Sequence, residues 1–176
     1  MNLSGREKKL LSILIFLIKF LILAIPLYLI SLLNLFPFQL LTAQLSILIS
    51  KFIGIPTTLV IERTPAILIS NIKLIIDSAC TGYRSIIAFA SLVLASPKKR
   101  KEKLRAFLFL PFIYSLNVLR ISFLSIWAFL IGNNFFEFVH TILWREFFIF
   151  SIIFLWIFWL NQNHQRVPIP PATNQN

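Results

Sequence analysis

The residues able to do chemistry are few and well separated. The run DSACTGYRSIIAF, Asp77 to Phe89, carries the single cysteine, Cys80, followed by Thr81, Gly82 and Arg84. Further on, NVLR sets Asn117 and Arg120 one helical turn apart inside a long apolar run, and GNNFFEFVH ends on His140. A thiol at a helix N-terminus feels the positive end of the helix dipole. A nearby arginine and a protonatable histidine would favour thiolate over thiol. The histidine can then protonate a leaving amine, and the arginine can stabilise an oxyanion. This is a cysteine–histidine arrangement with an arginine as its third member.

Each residue also has a plainer use. A lone cysteine is most often a small buried apolar side chain, and a lone histidine near a membrane surface is more often an interface residue. Arginine inside an apolar helix is different. Its insertion costs roughly 2.5–3.5 kcal/mol even on the lenient translocon scale, so a functional role is the default for Arg120. Arg84 is close enough to a surface to snorkel. Glu137, Arg145 and Glu146 read as a surface charge set.

The elements that must position these residues are membrane helices. Of 176 residues 58% are hydrophobic and 19 are Phe, more apolar surface than a soluble domain of this size carries. The net charge of +11 clusters beside the apolar runs, which fits cytoplasmic membrane flanks rather than a nucleic-acid partner. One cysteine excludes an internal disulfide framework, a multi-cysteine metal site and a disulfide-exchange enzyme, and no cofactor is called for. The N-terminus, Arg6-Glu7-Lys8-Lys9 and then an apolar run, mimics a signal peptide, but the run is too long for one and reads as a retained anchor.

Four segments are long enough, or nearly so, to cross about 30 Å of hydrocarbon as helices: Leu10–Leu33, Thr81–Ser96, Ala106–Ile131 and Thr141–Leu160. The second is short and is expected to reach a full span by continuing into the lysine-rich stretch, whose side chains can snorkel. KKRKEKLR, Lys98 to Arg105, has six basic residues and one acidic, so it is expected to be a cytoplasmic loop. Arg6, Lys8 and Lys9 put the N-terminus on the same side, and Cys80 then faces outward with Arg84 one turn below it on the same helix face. Asn117 and Arg120 lie about 18 and 22 Å above Arg105 at 1.5 Å per residue. Cys80, Arg120 and His140 thus fall at one level. Phe36–Gly54 carries Gln39, Ala43, Ser46 and Ser50 on one helix face and reads as an interfacial or re-entrant helix, with a fifth crossing as the alternative. Ile55–Asp77, with TTLVIE, AILIS and IKLIID punctuated by RTP and SN, reads as short strands or hairpins outside the membrane. Residues 1–160 form a single membrane-embedded domain with its motif-bearing core at 80–140 and the β-like segment at 55–78, and the Pro-rich residues 161–176 read as a disordered tail.

At these residues the chain resembles the exosortase/archaeosortase family of membrane transpeptidases. The matching pieces are Cys80 with Thr81 and Gly82, then Asn117 and Arg120 in the next membrane helix, then His140 near the one after. The resemblance implies a polytopic α-helical membrane protein of a prokaryotic cytoplasmic membrane with its active site outward. It implies a cysteine peptidase and transpeptidase with Cys80, Arg120 and His140 catalytic, and Asn117, Gly82, Thr81 and Arg84 in support. Substrates of such enzymes are exported proteins that end in a short motif, a transmembrane helix and a basic tail. The cysteine forms a thioester near the motif, and the new C-terminus passes to another acceptor. Membrane lipids are the other implied partner. Many members have about eight membrane helices, whereas four or five are expected here, so this chain reads as a reduced form. The alternative is a non-catalytic membrane scaffold or assembly factor. A serine intramembrane protease is disfavoured, because no Gly-x-Ser-Gly occurs.

Overall fold

The computed structural model describes residues 4–30, 35–132 and 144–162. They form a mostly helical fold with one small sheet. Helix α1, Gly5–Ile30, opens on a capping box. Glu7 N donates to Ser4 Oγ at 3.3 Å and Ser4 N donates to Glu7 Oε2 at 2.6 Å, which satisfies two of the amides a helix leaves unpaired at its start. Helix α2, Phe36–Phe52, begins with Pro37 in its first turn, where a missing N–H is harmless.

Three strands follow: β1 Thr57–Ile61, β2 Pro65–Ile69 and β3 Ile72–Ile75, an antiparallel meander in the order β1-β2-β3. Thr57 faces Ile69 in one pair and Ile69 faces Ile72 in the other, so β2 is central. The expected hairpins in Ile55–Asp77 are therefore present, as the β-branched texture dictates. The apolar side of the sheet buries Ile67, Ile69 and Leu74, together with Ile76 just beyond β3, against Ala43 and Ile47 of α2 and against Ile121, Leu124 and Ala128. Full burial of each Ile contributes roughly 1.5–3 kcal/mol, and this core holds the turn that follows.

That turn is a short 3₁₀ helix, Ser78–Thr81, and Gly82 separates it from helix α3, Tyr83–Ala95. The expected single helix over Thr81–Ser96 is thus broken at its start, and Cys80 lies before the break. Its far end differs too. Helix α3 stops at Ala95 with Ser96 extended and does not continue into the lysines, because Pro97 cannot donate to the ladder and biases the residue before it away from helix. The basic stretch is not all loop either: Arg100–Ala106 is a short helix, α4. After Phe107 and Leu108 the chain runs on as α5, Phe109–Ile131, and the last helix, α6, is Trp144–Gln162. By length and composition, Gly5–Pro26 and Arg100–Ile131 suffice to cross a membrane, and Tyr83–Ala95 and Glu146–Gln162 are shorter apolar helices. Residues 31–34, 141–143 and 163–176, which complete the expected first and fourth spans and most of the tail, lie outside the described residues.

Helices α2 and α5 lie side by side on small hydroxyl-bearing residues. The Thr42 and Tyr114 hydroxyls are 3.2 Å apart, Ser46 Oγ donates to Val118 O at 3.4 Å, and Ser122 Oγ lies 3.5 Å from Ser46 O. These pairs advance together along both helices, so α2 and α5 are parallel. The four residues that share a face in the sequence, Gln39, Ala43, Ser46 and Ser50, are all buried. Small side chains let two backbones approach closely, a device of helix pairs that cannot rely on expelling water. A second core joins α3, α4, α5 and α6 through Phe89, Val93, Ala106, Ile113, Ile152 and Trp159. Helix α1 is antiparallel to α3: Tyr28 meets Arg84 at its start, while Lys8 to Lys19 line a cavity with Ala95 to Lys98 at its end.

Candidate active site

Asp77 sets the geometry of the cysteine turn. It has extended backbone (φ −77°, ψ 179°), and its Oδ1 accepts from Cys80 N at 3.0 Å, as an N-cap carboxylate does. The same amide lies 3.1 Å from Asp77 O, and Thr81 Oγ1 donates to Ser78 O at 2.7 Å. The turn is therefore tied to itself at both ends. Gly82 then reverses the chain in the left-handed region, at φ 74° and ψ 0°, and its carbonyl accepts from Ser85 N and Ile86 N in the first turn of α3.

From α5, Asn117 reaches across 37 positions in sequence and donates from Nδ2 to Cys80 O at 2.7 Å. Asn117 is 0% exposed. It lies so close to Gly82 that a Cβ built on the glycine would sit 2.9 Å from Asn117 Cβ and Cγ. The glycine two places after the cysteine and the asparagine of NVLR are thus one packing unit. Asn117 Oδ1 is buried and has no hydrogen-bond partner among the described residues.

Arg120, one turn further along α5, brings a charge to the same place. It acts electrostatically on both the Cys80 thiol and the Asp77 carboxylate. Its guanidinium stands 5.7 Å from the centre of the Phe148 ring of α6. Arg120 Nε is buried without a hydrogen-bond partner among the described residues, and the side chain lines a cavity of about 350 Å³ with Ile49, Ile53 and Phe147. An unpaired buried donor costs about 1–3 kcal/mol. The cavity beside the side chain has room for an acceptor.

The state of the thiol is opposite to the expectation from the sequence. Cys80 is 4% exposed and belongs to the core beneath the sheet. Burial, then the Asp77 carboxylate, which also takes a hydrogen bond from the thiol, push its pKa from 9.0 up to about 12, while Arg120 opposes them. At rest it is a thiol. The helix dipole does not rescue the thiolate, because α3 starts beyond Gly82 and the 3₁₀ turn is capped by a carboxylate.

Arg84 does not share a face with Cys80. The turn at Gly82 swings it toward α1, where its guanidinium lies 5.7 Å from the Tyr28 ring and 5.9 Å from the Tyr83 ring, with Nε donating to the Tyr83 hydroxyl at 3.2 Å. Thr81, 1% exposed, packs within the turn. Glu137 and His140 lie outside the described residues, as does the side chain of Arg145, and Glu146 is half-buried at the start of α6. Sequence reasoning passed over Asp77 and Phe148. Asp77 was visible as an N-cap residue three before the cysteine. Phe148, in a chain of 19 Phe, carried no signal.

A family model described as Transmembrane exosortase (Exosortase_EpsH) matches residues 3–159. That range includes Asp77, Cys80, Gly82, Asn117 and Arg120, and the sequence position of His140. No curated protein and no solved structure matches the chain.

Proposed function

The chain belongs to the transmembrane exosortase family and is a membrane protein, and from that premise we propose that it is a cysteine peptidase and transpeptidase of exported proteins. It cleaves a C-terminal sorting signal, built as a short motif, a transmembrane helix and a basic tail, at the outer face of a prokaryotic cytoplasmic membrane. The observation that carries this reading is the Asn117 hydrogen bond to Cys80 O, with Arg120 one turn away acting on the thiol. Two sequence motifs 37 residues apart interlock around the single cysteine of the chain.

In this reading the Cys80 thiol gives its proton to His140, and the sulfur attacks the carbonyl carbon of the scissile peptide. The N–H donors of Arg120 take the carbonyl oxygen as its charge grows. The C–N bond then breaks, with His140 returning the proton to the leaving amine. An acceptor nucleophile displaces sulfur from the thioester and supplies the proton that restores the thiol. Asp77 and Asn117 are positioning residues that fix the cysteine backbone from its two sides, and Gly82 gives Asn117 its place. Arg84 serves the α1–α3 contact. The N-terminus and the basic residues Lys98 to Arg105 face the cytoplasm, α1, α5 and α6 cross the membrane, α3 rises from the cytoplasmic side to the cysteine turn, and α2 re-enters the layer beside α5 with the sheet on the outer side of the site. Residues 1–160 act as one domain.

A non-catalytic scaffold is the second reading, and the buried, protonated thiol favours it. One experiment separates the two. The full chain is co-expressed with an exported protein of the same organism that ends in such a signal, and shortening of that protein is followed on gels. Cys80→Ala should abolish shortening at unchanged membrane level, and wild type should yield an adduct released by hydroxylamine, as a thioester is. Normal shortening by Cys80→Ala makes the cysteine structural and removes the transpeptidase.

A further inference from the structure

A second cavity, of about 530 Å³, opens far from the cysteine, between the first half of α1, the end of α3 and the end of α6. Three lysines line it: Lys8 and Lys19 from α1 and Lys98 just after α3. Among the described residues no carboxylate does. Eleven residues make just over three helical turns, so Lys8 and Lys19 share one face of α1. Lys19 interrupts an otherwise apolar helix, an expensive place for a charge. Its side chain leans toward the helix N-terminus and so toward Lys8.

The remaining wall is built and apolar. Phe16 stacks on Trp156 with ring centres 5.6 Å apart and planes 23° from parallel. Trp156 is held in turn, since Nε1 donates to Ser96 Oγ at 3.0 Å while Ser96 Oγ donates to Leu92 O at 2.7 Å. Lys98 Nζ donates to Leu160 O at 3.4 Å, which leaves two of its three hydrogens for another acceptor. Three cations without a carboxylate, above a floor of Leu, Ile and aromatic side chains, match an anionic group on an apolar chain. A basic peptide would be repelled, and a soluble anion would leave the floor unused.

We propose that this groove binds the headgroup of an acidic phospholipid, with the phosphate among Lys8, Lys19 and Lys98 and the acyl chain leading on past Phe16 and Trp156. Basic pockets between membrane helices bind such headgroups on charge grounds. The site is independent of the reaction assigned to Cys80.

The test uses the full chain purified from vesicles of phosphatidylcholine and phosphatidylglycerol, with retained lipid counted by mass spectrometry over a titration. Wild type should select phosphatidylglycerol. A Lys8→Gln, Lys19→Gln, Lys98→Gln triple variant should bind it on the order of a hundredfold more weakly, at about fivefold per lysine. A control triple, Lys99→Gln, Arg100→Gln, Lys101→Gln, alters exposed charges outside the groove and should change binding by less than about threefold. Lys19→Gln alone, which only removes a charge from an apolar helix, should insert normally and still weaken binding about fivefold. Equal loss in the control, no loss in Lys19→Gln, no lipid preference in wild type, or equal competition by free glycerol phosphate each overturns the proposal.

Discussion

Gly82→Ala tests the interlock at the centre of the site. Two costs are expected. Alanine at φ 74° pays left-handed strain of roughly 1–2 kcal/mol. The new methyl also lands 2.9 Å from two carbons of the Asn117 side chain, which is 0% exposed and has nowhere to go. Overpacking of this kind costs about 1–3 kcal/mol. The sum is about 2–5 kcal/mol, and Asn117 is pushed off Cys80 O, so activity should fall with stability. Gly54 supplies a control. It has φ 88°, and among the described residues a Cβ there meets nothing within 4 Å. Gly54→Ala therefore carries positive-φ strain without the clash. Thermal unfolding in detergent should rank Gly82→Ala well below Gly54→Ala, by about 2–4 °C for each additional kcal/mol at this chain length, and substrate shortening should suffer in Gly82→Ala alone. A Gly82→Ala protein as stable and active as Gly54→Ala would refute the contact between the two motifs.

Four further outcomes follow from the same reading. Arg120→Lys keeps the charge but loses the planar fork of donors, so substrate cleavage at matched expression should drop about 10²–10³-fold; activity within about threefold of wild type, only ~0.65 kcal/mol, would leave Arg120 a structural ion. Alkylation of Cys80 by a small thiol reagent should be slow and keep rising above pH 9, because a thiol pushed up to about 12 ionises only there. Asp77→Asn keeps an oxygen for the Cys80 amide but removes the negative charge, so the midpoint should fall and alkylation at a fixed pH should rise tenfold for each pH unit of the fall; equal rates in the two proteins would deny the Asp77 effect. Cysteines introduced one at a time on a Cys80→Ala background should be labelled from the cytoplasm near position 101 and from outside near position 135; a cytoplasmic 135 would separate His140 from the site.

Much of this was legible because membrane helices and β-rich segments have distinct textures. The alternation of β-branched residues and turn residues in Ile55–Asp77 gave three strands, and the spacing of Gln39, Ala43, Ser46 and Ser50 gave the buried face of α2. What that face meets was not legible, since hydroxyls on α2 and α5 look alike whatever they contact. The largest miss was local. Apolar periodicity runs from Thr81 onward without a gap, and it cannot show that Gly82 sits at φ 74° and turns Cys80 and Arg84 away from each other. The thiol's protonation was misjudged for a related reason. A dipole and an arginine are visible as residues, whereas desolvation depends on what the sheet and α5 bring around the sulfur.

The short third helix has a mechanistic consequence. Helix α3 has 13 residues, about 20 Å at 1.5 Å per residue, against about 30 Å of hydrocarbon. In the proposed orientation its basic end lies at the cytoplasmic surface. The cysteine turn at its other end then sits within the outer part of the apolar layer, below the far surface, and Asn117, only eight residues into α5, meets it there. A site at that depth is dry, and this adds to the protein's own burial of the thiol, which with Asp77 already raises it to about 12. Dryness makes the resting nucleophile inert toward stray electrophiles. It also strengthens every charge interaction once a substrate carbonyl fills the space beside Arg120. Water is excluded from the thioester for the same reason, so an acceptor amine or hydroxyl delivered to the site competes with little hydrolysis. In the proposed reaction, transfer rather than simple cleavage is the outcome that such a depth favours, and lengthening α3 by one turn, about 5.4 Å, should shift products from transfer toward hydrolysis as the cysteine rises into water.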